Sequence, residues 1–144
     1  MAVRGRPYGD AMTRYVIDAP TLLRVVAEGA FVHPSHQLVA PNLIRSHALT
    51  LLLQDVLRGE LTDAEALDRH ERITEIKMRL LGDRVSRRTA WTFAREHGWD
   101  TIYDAEYLAV AKLQADALIT IDAQLSAKAN GLVPLAPFER LFAG

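Results

Sequence analysis

Four acidic residues stand where a fold could gather them. Asp18 closes the apolar run Tyr15-Val16-Ile17-Asp18, and Asp122 closes Ala117-Leu118-Ile119-Thr120-Ile121-Asp122. Asp104 and Glu106 open the stretch Tyr103-Asp104-Ala105-Glu106-Tyr107-Leu108-Ala109-Val110-Ala111, which reads as the first turn of a buried helix. Carboxylate oxygens are the donors that magnesium and manganese prefer. A carboxylate cluster holding one or two such ions can activate water and stabilise the leaving oxygen of a phosphodiester. Each acid also has a plainer role. Asp122 and Asp18 could cap the helices that follow them. Asp104 could favour a helix dipole in a Thr101-x-x-Asp104 cap. Gathered on one edge, the carboxylates would raise one another's pKa and destabilise the fold, a conflict that a bound cation removes.

The elements that must position these acids follow from the apolar pattern. Arg14–Asp18 reads as a short buried strand. Pro20 suits the first turn of a helix through Leu22, Leu23, Val25 and Val26, which Gly29 ends. Gln37–Ala40 is a second strand. Pro41 or Asn42 opens a long helix to Arg58 with Leu43, Ile44, Leu51 and Leu52 as its apolar stripe. Thr62-Asp63-Ala64-Glu65 has the form of a capping box. It predicts a charged helix to about Met78, with Leu67, Ile73 and Ile76 facing inward. Leu80–Val85 reads as a loop with a weak strand. Ser86 caps a helix to about His97, and Thr101 caps the helix of Asp104. Ala117–Ile121 is a strand, followed by a helix over Ala123–Ala129, a small strand over Leu132–Pro134 and a last turn over Pro137–Phe142.

This alternation, with continuous apolar strands, predicts one parallel sheet covered on both faces. The expected fold is a three-layer α/β/α sandwich with a central, mostly parallel sheet of four to five strands. Residues 1–13 are expected to form a flexible tail and 14–144 a single domain, with Met12 an alternative start site. In such sheets ligands bind beyond the carboxyl ends of the strands. Asp18 and Asp122 end two strands, and Asp104 begins a helix, so all three can face one edge.

Composition narrows the chemistry. The 144 residues are 49% apolar and contain no cysteine, which excludes a disulfide scaffold, a thiolate zinc site and a cysteine nucleophile. No apolar stretch has the length of a membrane span, and the N-terminal residues do not resemble a signal peptide. A cytoplasmic location is the expectation. The net charge of −1 carries no global basic field for nucleic acid. A local basic rim from Arg24, Arg45, Arg84, Arg87 and Arg88 is compatible with an acidic centre, although such charges ordinarily lie on solvated helix faces. His33-Pro34-Ser35-His36 is a weak metal signal, because Pro34 keeps the two rings off a shared helix face. Tyr107, Trp91, Phe93 and Trp99 read as core or contact surface.

Taken in order, Tyr15-Val16-Ile17-Asp18, Val39-Ala40-Pro41-Asn42-Leu43-Ile44-Arg45-Ser46, Tyr103-Asp104-Ala105-Glu106-Tyr107-Leu108-Ala109-Val110-Ala111 and Leu118-Ile119-Thr120-Ile121-Asp122 resemble PIN-domain proteins, most of all the VapC-type toxins of bacterial type II toxin–antitoxin pairs. The resemblance runs from about Arg14 to Pro134. It implies a magnesium- or manganese-dependent endoribonuclease that forms a homodimer and is inhibited by a cognate antitoxin protein. Asp18, Asp104 and Asp122 would be the catalytic metal ligands. Thr120 would support Asp122, and Glu106 would be an auxiliary carboxylate.

One departure stands out. Where the family has a glutamate after Pro-x-Leu-x-x-Ser, this chain has His47 after Ser46. An imidazole suits manganese better than magnesium. It could equally serve as a proton carrier or substrate contact, or as an ordinary helix or interface residue. The alternative function is therefore a catalytically weakened PIN-like domain that binds RNA or protein. A receiver-type signalling domain would need a lysine near its last strand, whereas Lys112 and Lys128 read as helical.

Overall fold

The computed structural model describes residues 12–144, so most of the expected tail lies outside the described residues. Thr13 is not tail. It opens the first strand and pairs with His36. In chain order the elements are β1 (Thr13–Ile17), α1 (Ala19–Glu28), β2 (His36–Pro41), α2 (Ile44–Leu57), α3 (Asp63–Glu75), β3 (Arg79–Leu81), α4 (Arg84–His97), α5 (Tyr103–Gln114), β4 (Ala117–Ile119) and α6 (Ala123–Ala129). A 3-10 helix, Phe138–Phe142, follows.

Tyr15, Val16 and Ile17 are all buried, so the carboxyl-terminal part of β1 has no polar face. Such a strand needs cover on both sides. It lies between β2 and β4, and β3 pairs with the far side of β2, giving the order β3-β2-β1-β4 with every pairing parallel. Helix α5 packs on β1, β2 and β4 and against α4, while α1, α2 and α3 pack on one another. The molecule is thus the expected three-layer α/β/α sandwich, with four strands among the described residues. Its core includes Ile17, Leu22, Ile44, Leu52, Leu108, Leu118 and Ile119. Burying each such side chain contributes roughly 1.5–3 kcal/mol.

Several local expectations shift. The strand near residue 80 is real and starts earlier, at Arg79, which stops α3 at Glu75 short of Met78. The capping box of α3 forms, with Thr62 and Glu65 each bonding the other's backbone. Leu67, expected inside, is 60% exposed, because Ala66 and Ile73 define the buried stripe. Asp83, not Ser86, caps α4, accepting from the Ser86 N–H at 2.8 Å. Ser86 is buried one turn further in and donates to the Asp83 carbonyl. Helix α5 has Ile102 at its cap position and no side-chain cap, so Thr101 does not play that role. The last small strand is a single bridge from Leu135 to Leu118, beyond Leu132–Pro134. Among the described residues no helix is long and apolar enough to cross a membrane.

Candidate metal centre at the sheet edge

Every strand is parallel, so the carboxyl ends of all four lie on one edge of the sheet. Consecutive strands β1, β2 and β3 step outward in one direction, and the chain then returns to place β4 on the other side of β1. The crevice between the ends of β1 and β4 is therefore the topological switch point, where ligands bind in open α/β sheets. Asp18 follows β1 and Thr120 follows β4, so the two flank that crevice.

Asp18 is only 2% exposed. Its Oδ1 caps α1, accepting the Thr21 N–H at 3.3 Å and the Thr21 hydroxyl. Its Oδ2 accepts the Thr120 hydroxyl at 2.7 Å. These donors are all neutral. Burial pushes the Asp18 carboxyl up from its ordinary range, and the charge of Asp122 pushes the same way, against the hydrogen bonds from Thr120 and Thr21. Both hydroxyls then accept from the β4–α6 turn. Thr21 Oγ1 takes the Ile121 N–H and Thr120 Oγ1 takes the Asp122 N–H, each at 3.0 Å. The two threonines stitch the β1–α1 turn to the β4–α6 turn. Thr120 thus supports Asp18 as well as Asp122.

Asp122 is half-buried and caps α6, its Oδ1 accepting the Gln124 N–H at 2.9 Å. Asp104 sits in the first turn of α5, and its Oδ2 is 2.8 Å from Lys128 Nζ of α6. Glu106, two residues on, is held above its ordinary range by partial burial, with Arg87 opposing.

Tyr107 reports on the whole group. The residue is fully buried, as the sequence suggested, yet its hydroxyl has polar company. His47 Nδ1 of α2 is 3.1 Å from it. Burial raises the Tyr107 pKa strongly. The negative charges of Asp18, Asp104 and Glu106 add to the rise, and the Ala19 N–H works against it. The acids from β1 and α5 therefore act on one hydroxyl, and Thr120 links Asp18 to Asp122. His47 is turned toward that hydroxyl as its hydrogen-bond partner.

A hard divalent cation suits these residues in kind: the donors are carboxylate oxygens, and the hydrogen bonds to the buried Asp18 from the described residues come from neutral groups. As they stand, no three His, Asp or Glu side chains among the described residues are grouped closely enough to hold one. Asp18 and Asp122 are engaged in caps and Asp104 in an ion pair.

Thr21 and Lys128 were not singled out from sequence as site residues. Thr21 had a usable signal, since Asp18-x-x-Thr21 is the spacing of a capped first turn. Lys128 had none, because its contact with Asp104 spans 24 residues. Of the expected basic rim, Arg24 pairs with Glu28 and lies over the Phe138 ring, while Arg87 acts on Glu106. His33 and His36 are engaged elsewhere, with Ser35 and the Ala143 carbonyl. A cleft of about 800 Å³ opens at the other end of the sheet, lined by Val25, Val26, Phe31, Ile76 and Met78. Glu75 is its one lining carboxylate among the described residues, so it is not the acidic site.

The fold and its edge define a three-layer α/β/α protein with carboxylates at the switch point. The crystal structure of PAE2754 from Pyrobaculum aerophilum has a similar fold, with a TM-score of 0.72 and 26% sequence identity over 90% of this chain and 93% of that one. No protein-family model and no curated protein matches the sequence.

Proposed function

We propose that the protein is a PIN-type endoribonuclease, dependent on magnesium or manganese, that acts as the toxin of a toxin–antitoxin pair. The observation that carries this reading is the buried Asp18 at the β1/β4 switch point, bonded by neutral donors among the described residues and tied through Thr120 to Asp122. Asp18, Asp104 and Asp122 would hold the cation, which would supply an activated water and neutralise the developing phosphate charge. The chain's own part is positional. Thr21 and Thr120 fix both oxygens of Asp18, and the α6 cap fixes Asp122. Glu106 would be an auxiliary acid. RNA as substrate, a cognate antitoxin and a homodimer belong to the same reading and rest on the sequence resemblance.

The test is RNA cleavage by purified protein in EDTA, magnesium and manganese, with Asp122→Asn in parallel. Asparagine caps helices as well as aspartate does, so the variant is expected to fold normally and lose at least about a hundredfold in cleavage, a typical loss when a main electrostatic contributor is removed. Full activity in the variant, or cleavage that survives EDTA, refutes the proposal.

A second reading, a weakened PIN-like domain that binds RNA or protein, is favoured by one observation. His47 replaces an acid and is spent on Tyr107. If the parent cleaves nothing and His47→Glu cleaves RNA in manganese, this second reading holds. If His47→Glu leaves a cleaving parent unchanged, it does not.

A further inference from the structure

Among the described residues, Lys128 is the cation in direct contact with an acid of the edge. Its Nζ is 2.8 Å from Asp104 Oδ2, and the two side chains are 31% and 26% exposed. An ammonium hydrogen-bonded to a carboxylate oxygen occupies the direction from which a metal would bind that oxygen, so the two cations are alternatives there. The same ammonium lies 5.3 Å from the centroid of the Trp99 ring, within the range of a cation–π contact. Lys128 thus holds Asp104 and Trp99 at once, and a shift of its flexible stem off Asp104 can keep the aromatic partner.

We infer that Lys128 is an internal counter-ion, which neutralises Asp104 in the metal-free protein and yields that carboxylate to a divalent cation by moving off it while keeping its contact with Trp99. The inference rests on the carboxylate–metal reading above. It assigns Lys128 a positioning role: the lysine sets how tightly the edge takes its metal. It also accounts for the open acidic grouping among the described residues, since Asp104 is satisfied from α6 and has no reason to close on Asp18. A merely structural ion pair would affect stability and leave metal affinity unchanged.

The protein has two tryptophans, and Trp91 is 65% exposed. In a Trp91→Phe background Trp99 is the single tryptophan and can be excited selectively over the tyrosines. Magnesium chloride is titrated into this protein, and into the same protein carrying Lys128→Met or Lys112→Met, by calorimetry and by Trp99 emission. Lys112 is exposed on α5 and controls for the loss of one positive charge. Lys128→Met is expected to bind magnesium on the order of tenfold tighter than the parent, because a cation a few ångströms from the site has been removed. The parent's emission is expected to change on binding and that of Lys128→Met to stay flat, with Lys112→Met following the parent. Tightening no greater than in Lys112→Met overturns the counter-ion role and leaves the metal reading intact. Absence of binding heat in all three proteins overturns the metal reading, and this inference with it.

Discussion

Asp18 carries a carboxylate where water hardly reaches, and that has a thermodynamic consequence. Burial raises its pKa in the folded protein above the unfolded value. As pH rises, the unfolded chain releases this proton first, so the folded state binds more protons through the window between the two values, and stability falls there. Below the ordinary aspartate pKa both states are protonated and Asp18 contributes nothing; above the raised folded pKa its full penalty is present. In metal-free buffer, Asp18→Asn is therefore expected to raise the urea midpoint at neutral pH. The gain should shrink as pH falls through the carboxylate range, about 4. The amide can still accept from Thr21, and Thr120 Oγ1 has a lone pair free to accept from its NH2. A lower midpoint at neutral pH would mean that the charge-assisted bonds from Thr21 and Thr120 outweigh desolvation. The sequence pointed to Asp18 because it ends an apolar run, and to Asp122 for the same reason. It could not show that both are caps and edge acids at once, because those roles coincide at a strand-to-helix turn.

At the scale of elements, legibility followed the length and purity of each pattern. Helix α1 was readable because Pro20 and Gly29 bracket it and Asp18 precedes it. Helix α6 was readable from Asp122 and the small residues behind it. Strand β3 was only half seen, since it has three residues and none of them is fully buried. It exists because its backbone pairs with β2, a contact between distant parts of the chain that no local signal encodes. The start of α4 was misread because two good capping residues, Asp83 and Ser86, stand three apart, and the earlier one won by bonding the later one's N–H. Tyr107 was read correctly as core, but its hydroxyl function was hidden, since periodicity reports burial of the ring and not the company of its oxygen. The bond to His47 joins α2 to α5 across 60 residues. That bond gives the residue at the departing position a partner, which the sequence comparison alone could not supply.

For the whole molecule, the parallel topology puts the N-termini of α1, α2 and α6, each entered directly from a strand end, at that edge, and the Tyr107–His47 bond brings the first turns of α5 there. Helix N-termini favour negative charge by about 0.3–1 kcal/mol each at exposed sites. They let the fold tolerate Asp18, Asp104, Glu106 and Asp122 without a bound ion, and Lys128 adds to the balance. A metal bound at this edge stabilises only the folded chain, because the acids are scattered over more than a hundred residues when it unfolds. At a free concentration a hundred times its dissociation constant, the ion should add about 2.7 kcal/mol. For a chain near this size that corresponds to roughly 5–10 °C in Tm. The measurement is a thermal scan in EDTA against magnesium, with sodium chloride matched for ionic strength, on the parent and on Asp18→Asn/Asp122→Asn. The parent is expected to gain and the double variant to gain nothing, although Asp18→Asn starts from the more stable metal-free state. An equal gain in both proteins would place the ion elsewhere on the surface. No gain in the parent would leave the acids of the edge as caps, with Lys128 and Arg87 as their counter-ions among the described residues.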